Sequence, residues 1–287
     1  MEVIFKAMVL GFVQGATEFI PISSSAHLII VPWLFGWTDP ALTSLGFDVA
    51  LHLGSLVALL VFFATDWLRL AKAFVRSVLE RRIGTDPDRR LAWLVLIGTL
   101  PGGLAGLFLE GRIEALFHQA GLPVSPAKMI AMALIIALFG VLLLLADRFG
   151  RNQADMQDLT LKDTLLIGLS QALAIFPGVS RSGATISAGL ALGLEREAAT
   201  TFSFLLSAPI ILAAGVKSLL GTFSGLQAAT TAGPGLAALI AGFLAAALSG
   251  FLCIRFLMNY LQTNNMKVFV FYRWALALLI LLAALSG

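Results

Sequence analysis

The sequence has little charge. Only 12% of its 287 residues are Asp, Glu, Lys or Arg, while 59% are hydrophobic. A soluble domain carries about 25% charged residues, so a water-soluble fold of this size would lack the charge to cover its surface. The shortage therefore predicts a protein embedded in a lipid bilayer.

Cysteine and histidine are scarce as well. The single cysteine, Cys253, lies within an apolar run, which excludes an intrachain disulfide and a cysteine-based metal cluster. The net charge is +3, but the basic residues lie in short loops between apolar runs. Orientation in a membrane explains this pattern better than nucleic-acid binding does, so we expect no nucleic-acid partner.

Long apolar runs are abundant. A bilayer core roughly 30 Å thick is crossed by about 20 apolar residues in a helix. The sequence therefore predicts an all-α polytopic membrane protein, folded as one integral membrane domain over residues 1–287. About six full spans are expected, at residues 45–64, 92–109, 127–146, 203–221, 235–257 and 268–286.

Two further apolar regions, residues 3–36 and 163–194, are interrupted by Pro, Gly and Ser with ionisable residues beside the break. Their halves are short for a full crossing. Irregular backbone at membrane depth is tolerated only where it is buried in protein or lines a wet cavity. Each region is therefore predicted to form a pair of half-helices or a re-entrant hairpin.

The two interrupted regions also resemble each other at an offset of 157 residues. Residues 10–14 are similar to residues 167–171, and residues 23–25 align with residues 180–182. This similarity predicts two repeats, approximately 1–146 and 158–287. An odd number of crossings in the first repeat would insert the second upside down, as in known inverted-repeat membrane proteins.

The connection 65–91 carries seven basic residues against four acidic ones. By the positive-inside rule it is predicted to be cytoplasmic. Counting crossings then places 222–234 outside and 258–267 inside, the latter flanked by Arg255, Lys267 and Arg273. Both termini are expected outside.

The first break combines several groups that can carry chemistry. Gln14 and Glu18 are four residues apart and share one helix face. Pro21 cannot continue that helix without losing a backbone hydrogen bond. The serines at 23–25 are N-cap candidates for a new helix, one turn before His27. An ionisable residue inside a membrane segment is a functional hypothesis by default.

The second break, residues 176–185, repeats this logic. Pro177 and Gly178 end one helix, and a new helix then opens with its free N–H groups, which favour phosphate or carboxylate. Arg181 adds a guanidinium suited to phosphate oxygens. Two alternatives are weaker: Arg181 extends to the membrane surface, or Glu18 forms a purely structural ion pair with a cation such as Arg181.

A carboxylate beside an anion site should repel the ligand, which a bridging divalent cation would prevent. Oxygen ligands and only three histidines favour Mg²⁺ or Ca²⁺ over Zn²⁺. Phosphate chemistry is then the hypothesis, in which a serine, His27 or water attacks while the metal and Arg181 neutralise charge.

These residues resemble a known family. Gln14-x-x-x-Glu18 with the following Phe19–Ser24 and His27 is similar to the E/Q-x-x-x-E motif and serine-histidine stretch of undecaprenyl-diphosphate phosphatases of the bacitracin-resistance type. Residues 177–185 resemble that family's P-G-x-S-R-S-x-x-T motif. The segments 47–54 and 202–209 also fit, so the resemblance runs essentially end to end.

The resemblance implies removal of the terminal phosphate from a C55 polyprenyl diphosphate in the membrane, which regenerates the lipid carrier of cell-wall synthesis and confers bacitracin resistance. It implies a location in the bacterial cytoplasmic (inner) membrane, a divalent metal and an active site that opens to the periplasmic side. The residues it implicates are Glu18, Ser24, His27 and Arg181 in catalysis; Ser23, Ser180, Arg181, Ser182 and Thr185 in substrate binding; and Glu18, Gln14 and Asp48 in metal binding.

Other readings of the sequence stay open. Inverted repeats with broken helices are also typical of a transporter or flippase for a lipid phosphate, and a non-catalytic lipid-diphosphate binder is a third hypothesis. We favour a polar packing role for His52 and a solvated position for His118. Residues 195–197 are expected to mark a helix end. The small residues of 228–250 suit close helix packing, either within the chain or in a homodimer.

Overall fold

The computed structural model describes residues 1–42, 44–117, 124–223 and 235–286. Within these ranges the chain is helical, with one isolated β-bridge and no strand. The helices are α1 Glu2–Glu18, α2 Ser24–Phe35, α3 Leu45–Phe62, α4 Ala64–Leu79, α5 Pro87–Phe117, α6 Pro126–Phe149, α7 Leu161–Ala172, α8 Arg181–Ala191, α9 Arg196–Phe223, α10 Leu236–Leu261 and α11 Lys267–Ser286.

Five of these helices, α5, α6, α9, α10 and α11, are long and apolar enough to cross a bilayer. A sixth candidate is the pair α3 and α4, which is bent by 83° at Phe63. The all-α polytopic class with about six spans is thereby confirmed. His118 and most of the 222–234 connection lie outside the described residues.

The connection 65–91 was expected to be a loop, but its first part is helix α4. Three faces of α4 differ in character. Leu70, Ala73 and Ser77 are buried against the protein, because apolar or small residues recur there at helical spacing. Leu68 and Val75 are exposed, beside a stripe of basic residues at 69, 72 and 76. This pattern is typical of a helix that lies at a membrane surface.

Both predicted interruptions are present. Helices α1 and α2 are separated by residues 19–23, and α7 and α8 by residues 173–180, which include a short 3₁₀ turn. Ser23 and Ser180 cap α2 and α8 in the same way: their φ angles are 78° and 71°, and their hydroxyls accept from Ala26 N and Gly183 N. The two caps are 157 residues apart, which is the offset found in the sequence.

The packing of the long helices follows the same repeat. Helix α10, from the second repeat, packs on α1 and α3 of the first, while α5, from the first, packs on α7 and α9 of the second. Helices α6 and α11 pack on each other. Helices of each predicted repeat therefore pack against helices of the other. The opposite insertion of the two repeats stays a prediction.

The described small residues of the segment 228–250 serve packing within the chain. A Cβ on Gly11 would collide with the backbone of Gly242, and one on Gly15 would collide with Ser249 and with the backbone of Gly250. Helices α1 and α10 thus approach backbone to backbone. This close contact holds Glu18, at the end of α1, in the interior of the protein.

Candidate active site

A cavity of about 270 Å³ lies where the two broken helices meet. The starts of α2 and α8 both border it, so the N-terminal ends of two helices meet at one space. Helices α3, α5 and α9 and the end of α7 form the remaining walls. The polar side of the cavity consists of Glu18, Ser24, Ser25, Asp48, His52, Ser180 and Arg181.

Glu18 is the centre of this polar side. Its side chain is only 4% exposed. The carboxylate oxygen Oε2 accepts from Ser24 Oγ at 2.5 Å and from Gln14 Nε2 at 2.8 Å. The other oxygen, Oε1, accepts from the guanidinium of Arg181. Three neighbours therefore hold the carboxylate in one orientation, with Ser24 directly against it.

Arg181 connects the two repeats. Its Nη2 pairs with Glu18, and its Nη1 donates to the carbonyl oxygen of Ser207 at 3.3 Å. Such an ion pair was the purely structural alternative for Glu18. The pair is formed, but both partners line the cavity. The guanidinium therefore remains available to a ligand that enters there. Arg181 does not extend to a membrane surface, since its side chain is 15% exposed.

His52 and Asp48 join the site from α3. His52 Nδ1 donates to the carbonyl oxygen of Asp48 at 2.7 Å, and its Nε2 lies 3.6 Å from Glu18 Oε2. Both side chains line the cavity. The sequence favoured a packing role for His52, whereas the structure places its ring beside the central carboxylate. The four-residue spacing on one helix face was the available signal.

His27 is placed differently from the sequence hypothesis. Its Nδ1 donates to the carbonyl oxygen of Ser23 at 2.7 Å, and its Nε2 lies 2.7 Å from the Tyr272 hydroxyl. The ring also stacks on Tyr272 and does not border the cavity. With both nitrogens engaged outside the cavity, His27 is positioned to support the start of α2 rather than to attack a ligand.

Three of the residues assigned to substrate binding also lie outside the cavity lining. Ser23 Oγ accepts from Gly178 N at 3.2 Å, and Ser182 Oγ donates to Ile20 O at 3.1 Å. Thr185 shares a hydrogen bond with Ser203 at 2.6 Å. These contacts join the two breaks to each other and to α9. Of the binding set, the structure brings Ser180 and Arg181 to the cavity.

The role of Arg273 was not predicted from the sequence. It was counted as a flanking charge at the inner end of α11, which is wrong, because its side chain is fully buried. The guanidinium donates to four carbonyl oxygens, those of Pro21, Gly178, Val179 and Ile136. Arg273 thereby ties both interrupted segments to α6. A cation within an apolar helix was the signal that could have revealed it.

The residues at 195–197 do mark a helix end, since α9 begins at Arg196. Arg196 Nε also pairs with the buried carboxylate of Asp147 at 2.6 Å. Asp147 in turn accepts from the backbone N–H of Met266, just before α11. This ion pair fastens α6, α9 and α11 together away from the cavity.

The cavity contains carboxylate groups that could bind a divalent cation. Among the described residues no group of three or more His, Cys, Asp or Glu side chains is placed to hold an ion. Glu18 and Asp48 nevertheless bring hard oxygen ligands to one cavity. Mg²⁺ is usually bound by one or two carboxylates together with substrate phosphates and water. The residues fit a cation shared with a phosphate ligand.

Comparison with known proteins places this architecture in a family. The family model described as bacitracin resistance protein BacA matches residues 7–279. A protein named undecaprenyl-diphosphatase from Thermomicrobium roseum is 44% identical over 280 residues, 97% of each chain. Proteins of the same name from Desulforudis audaxviator and Methanobrevibacter smithii are 45% and 40% identical, and each alignment covers at least 98% of both chains.

Proposed function

Because this chain belongs to the bacitracin resistance protein BacA family, we propose that it is an undecaprenyl-diphosphatase. It hydrolyses a polyprenyl diphosphate within the membrane to the monophosphate and inorganic phosphate. The names of its relatives support a hydrolase and not the transporter alternative. The reaction returns the lipid carrier to cell-wall synthesis, and by consuming the diphosphate it confers resistance to bacitracin.

One observation carries the assignment of the site. Ser24 lines the cavity, and its hydroxyl donates to Glu18 at 2.5 Å. The pairing of a hydroxyl with a base at hydrogen-bond distance is the arrangement that activates a serine nucleophile. Of the nucleophile candidates, Ser24 has this arrangement and faces the cavity, whereas His27 has neither.

The reaction then follows from these contacts. Ser24 Oγ attacks the terminal phosphorus while Glu18 takes its proton. The bond from that phosphorus to the bridging oxygen breaks, and the lipid monophosphate leaves. Glu18 passes its proton to the departing phosphate oxygen and then takes a proton from the water that attacks the phosphoserine. The bond from phosphorus to Ser24 Oγ breaks, inorganic phosphate leaves, and the proton on Glu18 returns to the serine oxygen. Gln14 donates to Glu18 and keeps the carboxylate turned toward Ser24.

Charge that develops on the phosphate oxygens is stabilised by fixed donors. Arg181 supplies the positive charge, and Ser180 with the free N–H groups at the start of α8 supplies further hydrogen-bond donors. Mg²⁺ or Ca²⁺, held by Asp48 and Glu18 together with the diphosphate, would add Lewis-acid neutralisation of the same oxygens. The ion pair between Arg181 and Glu18 keeps both side chains in place before the substrate enters.

The position in the membrane belongs to the same proposal. The basic stripe of α4 supports a cytoplasmic location for 65–91. Both termini then lie outside, in the bacterial cytoplasmic membrane, and the cavity opens to the periplasmic side. The small residues of α10 are occupied by α1 and α3, so a homodimer would use another surface.

Purified protein in detergent tests the function. Phosphate release from undecaprenyl diphosphate is measured with and without a chelator for the wild type, Glu18→Gln and Arg181→Ala. The wild type is expected to release phosphate, and each substitution to reduce the rate by at least about 100-fold, the scale of general-base and charge-stabilising contributions. Wild-type rates in both variants would refute the site, and a folded wild type without release would refute the activity.

A further inference from the structure

Gln171, near the end of α7, is a polar residue of the cavity that takes no part in the proposed reaction. Gln171 is 3% exposed, and it lines the same cavity as Glu18 and Arg181. Neither its Oε1 nor its Nε2 has a hydrogen-bond partner within the part of the chain that the structure describes. Buried amides are almost always satisfied, because an unsatisfied one is costly. Gln171 therefore indicates a polar ligand.

The repeat explains why the Gln171 amide has no hydrogen-bond partner among the described residues. Gln171 lies 157 residues after Gln14, at the matching position in the second repeat. Gln14 donates to Glu18 one turn later. The residue at the corresponding place in the second repeat is Ile175, which offers no acceptor. The same side chain that orients the base in one half is thus left with free donors in the other.

Its surroundings locate it along the cavity. A Cβ on Gly102 would lie 3.0 Å from Gln171 Nε2 and 3.0 Å from Ile210, so the amide sits against α5 and α9. The described lining residues that α5, α7, the 3₁₀ turn and α9 contribute are otherwise apolar. Gln171 is the polar residue among these apolar lining residues.

An amphiphilic diphosphate must lie in this cavity in one direction. Its terminal phosphate has to reach Ser24 and Arg181, and its prenyl chain has to follow the apolar wall. The inner phosphate, which carries the prenyl group, then passes the boundary between them. Gln171, which stands among the apolar lining residues, offers two N–H donors to that phosphate.

We propose that Gln171 binds the inner phosphate of the lipid diphosphate, the phosphate that stays on the lipid product. This inference rests on the proposed function and adds a distinct binding position to it. Glu18, Ser24 and Arg181 act on the phosphate that is removed, while Gln171 holds the part that is retained. The side chain therefore contributes to binding of both substrate and lipid product, but not to binding of inorganic phosphate.

The test uses Gln171→Met, which keeps the length of the side chain and removes the amide. Initial rates are measured against undecaprenyl diphosphate in detergent micelles, with undecaprenyl monophosphate and inorganic phosphate as inhibitors. The KM and the inhibition constant of the lipid monophosphate are expected to rise by about tenfold or more, the effect of losing one hydrogen bond to a charged group. The inhibition constant of inorganic phosphate is expected to stay unchanged.

Two further variants complete the test. Gln171→Glu keeps the shape of the side chain but replaces the donors with a negative charge, so it is expected to weaken binding of the lipid monophosphate at least as much. Thr164→Val is the matched control. It removes a buried hydroxyl of α7 that has no hydrogen-bond partner among the described residues and lies outside the cavity lining. It is expected to leave both constants unchanged.

Each outcome is decisive. Unchanged constants for the lipid substrate and product in Gln171→Met, or in Gln171→Glu if the first variant does not fold, would overturn the proposal. An equal rise for inorganic phosphate would also overturn it, by placing Gln171 at the terminal phosphate. Failure of the proposed function looks different, because the wild type itself would then release no phosphate.

Discussion

Arg273 offers the sharpest test of how the two interrupted segments are held together. It is a fully buried cation that donates to carbonyl oxygens on both breaks and on α6, at 2.8–3.3 Å. Arg273→Met keeps an unbranched apolar stem of similar width and removes every one of these donors. The carbonyls of Pro21, Gly178 and Val179 then lose this donor.

The expected magnitude follows from those contacts. Each buried carbonyl left without a donor costs about 1–3 kcal/mol. Removal of the guanidinium also returns the desolvation cost of burying a charge, which offsets part of that loss. The net loss in the free energy of unfolding is therefore expected to be about 3–5 kcal/mol, which is the low end of the sum over the four carbonyls after this offset. At roughly 2–4 °C per kcal/mol, the Tm falls by about 6–20 °C.

The assay is thermal unfolding in detergent, followed by intrinsic tryptophan fluorescence, together with phosphate release below the transition. Arg255→Met is the control, since Arg255 is exposed on α10 and its loss is expected to change the Tm by no more than about 2 °C. The reasoning is refuted if Arg273→Met unfolds at the wild-type temperature and keeps wild-type turnover.

Three further outcomes are expected. Gly11→Ala places a methyl against the backbone of α10 and should lower the free energy of unfolding by about 1–3 kcal/mol. Gly103→Ala is the control, because a Cβ there meets no described atom within 4 Å, and it should not lower the free energy of unfolding. Thermal unfolding compares the two variants. Asp48→Asn removes a carboxylate from the cavity and should raise the Mg²⁺ concentration for half-maximal phosphate release by at least about tenfold. In intact cells, an impermeant thiol reagent should label Thr38→Cys, and should label Thr85→Cys only after the membrane is opened.

Each of these has a contrary result. Equal unfolding temperatures for the two glycine variants would mean that α1 and α10 are not in backbone contact. An unchanged Mg²⁺ requirement would remove Asp48 from the metal proposal. Labelling at position 85 from outside would invert the orientation.

Much of the architecture follows from local chemistry and was predictable. Charge depletion and apolar runs indicated the spans, and proline with serine located both breaks. The repeat at an offset of 157 was visible because its polar positions recur, and Ser23 and Ser180 indeed cap their helices in the same conformation. Glu18, Ser24 and Arg181 were identified for the same reason, as ionisable and hydroxyl groups beside a helix start.

The contacts between distant segments were not predictable. The imidazole of His27 is a chemically suitable nucleophile. Whether it faces a ligand depends on its contact with Tyr272, which lies 245 residues further along the chain. Arg273 looked like a surface charge because its place relative to the breaks is set by the packing of α11 on α6. The packing of α5 and α10 against helices of the other repeat likewise depends on which glycines of two helices come into contact. That contact cannot be deduced from the sequence of either helix alone.

The central claim is that Ser24, activated by Glu18, attacks the terminal phosphate. The direct measurement is a single turnover of undecaprenyl diphosphate carrying ³²P in its terminal phosphate, quenched in acid. The wild type and Ser25→Ala, which changes the neighbouring hydroxyl on the same helix start, should both become covalently labelled. Ser24→Ala should show neither label nor phosphate release. Phosphate release from Ser24→Ala at the wild-type rate would contradict the account.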